Sequence, residues 1–160
     1  MTMTLMTKLA TYEKNPRRGD IPAIAASLTE LGQFRPITVN KGTKTGRPNE
    51  ILAGNHTYLA AQSLGWEKID AHFIDVDEDF GKKVVAADNR TSDLGSYDDT
   101  ELAALLASIP DLTGTGYTAT DLDDLLVTLE AVNHAGNQII DQAPDGTGMA
   151  PDSPSAWEPL

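Results

Sequence analysis

An α/β (α+β) fold is predicted by three observations. Short apolar, strand-like runs alternate with helical stripes through the first hundred residues; one of those runs breaks at Gly54 directly into a helix; and two strongly periodic helices follow. The 160 residues suffice for one domain with appendages and a single buried core, not for two full-sized domains.

After an opening segment, Asp20 is placed to cap a helix with Pro22 in its first turn. Ile21, Ile24, Ala25, Leu28 and Leu31 then fall on one face before Gly32. Residues 36–40 and 50–53 read as strands, joined by an exposed, basic loop whose glycines and proline suit a hairpin. The second strand stops at Gly54, and residues 57–64 form a short helix ended by Gly65. Residues 69–76 read as a third strand. Asp77 then caps a helix containing Phe80, Val84, Val85 and Ala87, which leads into Asp88-Asn89-Arg90.

Ser96-x-x-Asp99 is a capping-box-like start without the preferred Glu or Gln, followed by the stripe Leu102, Leu105, Leu106 and Ile109 and stopped by Pro110. Thr118-x-x-Asp121 repeats the device ahead of Leu122, Leu125, Leu126, Leu129 and Val132. From Gly136 the chain offers little to bury. The expected division is a domain over 1–110, a helical extension over 111–135, and an acidic, disordered tail over 136–160 apart from its Trp157 end.

Cysteine is absent, which removes disulfides, Cys-ligated zinc, iron-sulfur clusters and thiol mechanisms together. No apolar run is long enough to span a bilayer and no secretory signal is legible at the start, so a soluble, cytoplasmic protein is expected. The net charge of −12 is uneven: residues 1–95 hold all 12 Lys and Arg against 12 acids, and residues 96–160 hold 12 acids and no Lys or Arg. Any nucleic-acid contact is therefore expected on the front, where Arg17, Arg18 and Arg35 would form a local anion site. The acidic back suits a basic protein partner, a shield against nucleic acid, or plain solvation.

Two motifs carry chemistry. At Gly54-Asn55-His56-Thr57 the glycine lets a ligand approach the backbone, the free N–H groups of the next turn and the helix dipole favour an anion, and three side chains add donors. Asp88-Asn89-Arg90 offers a carboxylate and an amide oxygen of the type Mg²⁺ accepts, with Arg90 for a phosphate oxygen. Alone, the first also reads as a strand stop with a helix cap, and the second as a solvated helix end. Asn15-Pro16-Arg17-Arg18-Gly19-Asp20, a rigid loop with two guanidiniums before a helix, reads equally as a phosphate site or as surface decoration. His72 and His134 read as structural or surface residues.

Taken together and in order, Asn15-Pro16-Arg17, Leu31-Gly32-Gln33-x-x-Pro36-Ile37-x-Val39, Ile51-x-Ala53-Gly54-Asn55-His56-Thr57-x-x-Ala60-Ala61-x-x-Leu64-Gly65 and Ala87-Asp88-Asn89-Arg90 resemble the N-terminal domain of the ParB/sulfiredoxin superfamily. The likeness covers roughly residues 7–110. It is nearer to short ParB-like proteins of phages and mobile elements than to chromosomal partition ParB. The resemblance implies a small mixed sheet with surrounding helices, a glycine turn that holds nucleotide phosphates, and a later acidic-amide motif that takes part in metal binding. Relatives bind CTP or ATP, and some hydrolyse nucleotide, phosphorylate a substrate or act as nucleases.

Asn55, His56 and Thr57 stand where partition ParB has Glu-Arg-Arg, so positive charge would have to come from Arg17, Arg35 or Arg90. Asp88-Asn89 matches the Glu-Asn pair of ParB, and Ser92 stands where an arginine is expected. The missing cysteine excludes the sulfinic acid reduction of sulfiredoxin. With two acidic helices in place of a helix-turn-helix domain, sequence-specific DNA loading is not expected without another polypeptide.

The resulting expectation is a Mg²⁺-dependent protein that binds ATP or CTP and hydrolyses it or transfers a phosphoryl group. Gly54, Asn55, His56, Thr57, Arg17, Arg35 and Arg90 would hold the nucleotide, Asp88 and Asn89 the metal, and Asp88 and His56 would carry the catalytic roles, with His56 moving protons. The alternatives are a nucleotide-responsive adaptor that is not an enzyme, and a DNA nuclease.

Overall fold

The computed structural model describes residues 2–141 of the chain. Five strands, β1 (Thr2–Leu5), β2 (Ala10–Thr11), β3 (Ile37–Asn40), β4 (Glu50–Ala53) and β5 (Lys68–Ile74), form one mixed sheet in the order β1-β5-β3-β4-β2. β5 runs antiparallel to β1 and parallel to β3, and β4 runs antiparallel to β3 and parallel to β2. The α/β expectation holds, and β3, β4 and β5 are the three strands legible in the sequence.

Alternation along the strands sorts the residues into two faces. Ile37, Val39, Ile51, Ile69 and Ala71 join Leu28 of helix α1 (Ile21–Leu31) and Tyr58, Ala60 and Ala61 of helix α2 (Asn55–Ser63) in the main core. Leu52 points the other way, against Gly81 of helix α3 (Glu78–Asp93). Helix α4 (Asp99–Ala107) packs against helix α5 (Ala119–Asp141). No helix among the described residues is long and apolar enough to cross a membrane.

Asp20 caps α1 as expected, its Oδ1 accepting from Ala23 N–H at 3.0 Å. Thr118 and Asp121 form a reciprocal capping box: Asp121 N–H donates to Thr118 Oγ1 at 3.1 Å, and Thr118 N–H donates to Asp121 Oδ2 at 2.6 Å. Both hydrogen bonds from Thr118, the side-chain one first, hold the Asp121 carboxyl below its ordinary value.

Other expectations are corrected. Asp98, not Ser96, caps α4 by accepting from Thr100 N–H and Glu101 N–H, because its carboxylate is the one immediately ahead of the first turn. α2 begins at Asn55, two residues before the expected start. α3 runs on to Asp93, so Asp88-Asn89-Arg90 lies within the helix, three residues short of its end. Leu31, placed on the apolar face of α1, is 55% exposed, and Leu105, Leu126 and Val132 are exposed on the two last helices. α5 continues to Asp141, six residues into the segment read as a tail; the remainder of that segment lies outside the described residues.

Candidate functional site

Gly54 is the N-cap of α2 and adopts φ 86°, a left-handed conformation natural to glycine. A Cβ there would come within 2.6 Å of Ile37 Cγ2. The chain therefore turns from β4 into α2 with no side chain in the way. The backbone N–H groups of Asn55, His56 and Thr57, the first turn of a nine-residue helix, donate to no protein acceptor among the described residues. They have the character of an anion site at the positive end of a helix dipole.

Three segments distant in sequence meet at this turn. A cleft of about 180 Å³ is lined by Asn15 and Arg17, by Gly54 to Thr57, by Ile24 of α1, and by Asp88, Asn89 and Ser92 of α3. Asn89 Nδ2 donates to Asn15 Oδ1 at 3.1 Å. Arg17 reaches the same helix, donating to the Asn89 carbonyl at 3.0 Å and to Asp93 Oδ1 at 2.9 Å. The sequence placed Arg17 at the site but not Asp93, its partner. The only available signal was spacing, since Asp93 lies one helical turn beyond Asn89.

The side chains of the turn are used differently from expectation. Asn55 is buried: its Oδ1 accepts from Tyr12 N–H at 2.8 Å and its Nδ2 donates to the Ile51 carbonyl at 3.2 Å. Its amide thus ties the turn to the fold instead of offering a donor to the cleft. The Gly19 backbone lies over the face of the His56 ring, its N–H 3.0 Å from Nε2. Thr57 lines the cleft, and its hydroxyl has no protein hydrogen-bond partner among the described residues.

Arg35 lies in an adjoining groove of about 240 Å³ with Phe34, Gln33, Ser27 and Leu28, which shares Ile24 and Thr57 with the cleft. Gln33 fixes this loop, accepting from Asp70 N–H at 2.7 Å and donating to the carbonyls of Asp70 and Arg35 at 2.9 and 3.1 Å. Arg90 does not line the cleft; it stands on the exposed side of α3.

For the metal, Asp88 brings a carboxylate that accepts no hydrogen bond among the described residues, and Asn89 keeps its Oδ1 while Nδ2 is engaged. Among the described residues no three His, Cys, Asp or Glu side chains converge to form a ready-made metal cage. That donor set fits a hard cation whose shell is completed by phosphate oxygens and water, as Mg²⁺ accepts, and does not fit zinc.

The solved C-terminally truncated chromosome-partitioning protein ParB from Caulobacter crescentus, complexed with CTP-gamma-S, superposes with a TM-score of 0.58 at 18% identity over 76% of this chain and 67% of that one. The fold is that of a ParB N-terminal domain. In sequence, the chain is 31% identical over 94 residues to a nucleoid occlusion protein of Bacillus licheniformis, a match covering 58% of this chain. The chain spans 33% of that relative's length. No protein-family model matches. Within this ParB-type fold, the glycine turn, the Asn15-Arg17 loop and the Asp88-Asn89 pair converge on one cleft, while Arg35 flanks it and Arg90 stands apart.

Proposed function

We propose that this ParB-type domain binds a nucleoside triphosphate together with Mg²⁺, its phosphates resting on the first turn of α2. The observation that carries this reading is the row of N–H groups at Asn55, His56 and Thr57, unpaired among the described residues and lining a cleft with Arg17, Asp88 and Asn89. Arg17 is the one Lys or Arg lining that cleft among the described residues, and Asp88 opposes it. The protein alone does not balance a triphosphate. Asp88 and Asn89 would hold the ion, which supplies charge neutralisation at the phosphate oxygens when bound.

CTP is the first nucleotide to test, since the Caulobacter ParB neighbour was solved with a CTP analogue, and ATP the second. A base would enter the groove beside Phe34, which is 69% exposed on a loop that Gln33 holds rigid, with Arg35 at its edge. Hydrolysis or phosphoryl transfer would use Asp88 to orient the attacking group and Arg17 or Arg35 to offset developing charge.

One observation favours a second reading, a nucleotide-responsive adaptor with little turnover: the His56 ring is packed face-on against the Gly19 backbone, which ties it to the loop that carries Arg17. In that reading DNA would meet the front, where Lys14, Arg17 and Arg18 lie close in sequence, and a basic protein the acidic helices α4 and α5. Calorimetry with CTP, ATP and GTP, with and without Mg²⁺, followed by a phosphate-release assay, separates the readings. Binding that needs Mg²⁺ and is followed by release supports the enzyme. Tight binding without release supports the adaptor, and no binding of any nucleotide removes both. Nicking of supercoiled plasmid by the purified protein would instead point to a nuclease.

A further inference from the structure

Helix α5 outruns its partner. Leu122, Leu125 and Leu129 are half-buried and recur every three or four positions, the spacing of a narrow seam laid against another helix, and α4 is the helix that α5 packs against. Val132 is the next residue on that seam, and it is 64% exposed. The cause is length: α4 has nine residues and α5 has twenty-three, so α4 cannot follow the seam to its end. Past Leu129, every side chain from Glu130 to His134 is exposed among the described residues. In the sequence the same spacing continues to Gly136 and Ile139.

These outer turns, residues 131–141, are rich in poor helix formers: Val132, Asn133, Gly136, Asn137 and two isoleucines. Such a stretch keeps helical form through the packing of one face rather than through propensity. Its charge says what can pack there. Residues 96–160 carry 12 acids and no Lys or Arg, yet residues 131–140 contain no Asp, Glu, Lys or Arg. A basic partner would find no ion pair on this stretch. Two copies of the chain, which repel each other elsewhere, would meet here without like charges face to face.

We propose that residues 131–141 of α5 pair with the same residues of a second copy of this chain, making a symmetric dimer in solution. A two-fold pairing presents one patch to itself, so Val132 contributes from each copy and every substitution counts twice. The interface is small, about three turns of helix from each copy, which places the dimer at the weak end of specific association. The inference goes beyond the nucleotide reading and needs no ligand in the cleft.

The test is sedimentation equilibrium of the full chain over a wide range of concentration, at low and at high salt, for wild type, Val132→Glu, Val132→Ile and Val127→Glu. Val127 is 65% exposed on the same helix but roughly 140° round its axis from Val132, so it carries the same change of charge off the seam. Wild type should pass from monomer to dimer, and more readily at high salt, because screening removes the repulsion between two acidic chains. Val132→Glu should weaken dimerisation by on the order of a hundredfold, a factor of about ten for each copy. Val132→Ile should keep the dimer, and Val127→Glu should leave it nearly unchanged at high salt, where the added charge is screened. Both replaced side chains are exposed, so the urea midpoint of the monomer should be the same in all four proteins. A chain that stays monomeric at every concentration overturns the proposal. So does a dimer that Val132→Glu leaves intact, one that Val127→Glu breaks equally, or one that salt dissociates, since each would place the contact away from the uncharged seam.

Discussion

Gly54 and Ile37 meet so closely that a Cβ on Gly54 would lie 2.6 Å from Ile37 Cγ2 and 3.1 Å from its Cβ. Ile37 is 1% exposed in the middle of the core and cannot retreat without disturbing β3. Gly54 also holds φ 86°, where an L side chain is strained. Gly54→Ala combines both penalties, roughly 1–2 kcal/mol for the left-handed backbone and about 1–3 kcal/mol for overpacking. Urea denaturation should show a lower midpoint with an unchanged slope, and nucleotide affinity should fall with it. A variant of wild-type stability would show that the turn relaxes freely.

Asn55 and Thr57 should separate structure from binding. Asn55→Ala removes the acceptor of the part-buried Tyr12 N–H and a buried donor to the Ile51 carbonyl, at about 1–3 kcal/mol for a group left without a partner, and should lower the unfolding midpoint clearly. Thr57→Ala removes a hydroxyl that bonds nothing within the described protein, so its expected stability change is within about 0.5 kcal/mol while nucleotide affinity drops. Calorimetry and urea titration on the same two variants check the contrast.

How far the sequence could be read follows from which interactions are local. The Asp20 cap, the Thr118–Asp121 box and the strand that ends at Gly54 are encoded within a few residues, and all are found where expected. β1 and β2 were illegible because they are short and depend on distant partners: Thr2 pairs with Ala71, and Ala10 with Glu50. At the site, the glycine turn and Asp88-Asn89 were legible as motifs. That Asn55 faces inward and His56 is packed against Gly19 were not, since one rotamer and one contact over 37 residues decide them. Arg90 was placed with the ligand from its neighbours in sequence, but successive helical residues diverge by about 100° around the axis, and Arg90 is exposed outside the cleft.

Acid should loosen the start of α5 before the sheet. The Asp121 carboxyl is held below its ordinary value by the hydrogen bonds from Thr118. A folded-state value below the unfolded one means the stabilisation is fully present above the ordinary Asp range, near about pH 4, and is lost as pH falls through the lowered folded value. Amide exchange or chemical shifts at Thr118 and Asp121 should therefore report fraying only on the acid side of that range. Asp121→Asn should abolish the pH response, and fraying that begins near neutral pH would contradict the assignment.

Arg17 is expected to be shared between Asp93 and an incoming anion. Its pair with Asp93 is 2.9 Å long but both side chains are substantially exposed, 40% and 56%, so the pair adds at most about 1 kcal/mol to stability. Its larger effect is electrostatic: Asp93 offsets the single guanidinium that lines the cleft among the described residues. Asp93→Asn should leave the unfolding midpoint nearly unchanged and raise affinity for Mg·CTP by a few-fold, because a phosphate oxygen no longer competes with a carboxylate for Arg17. Arg17→Ala should lower that affinity by on the order of tenfold or more, as for a charge-assisted hydrogen bond, and Arg90→Ala, outside the cleft, should leave it unchanged. In the Arg17→Ala background Asp93→Asn should gain much less, so the double-mutant cycle measures the competition directly. Loss of affinity in Asp93→Asn alone would mean that Asp93 aims the guanidinium at the ligand rather than withholding it.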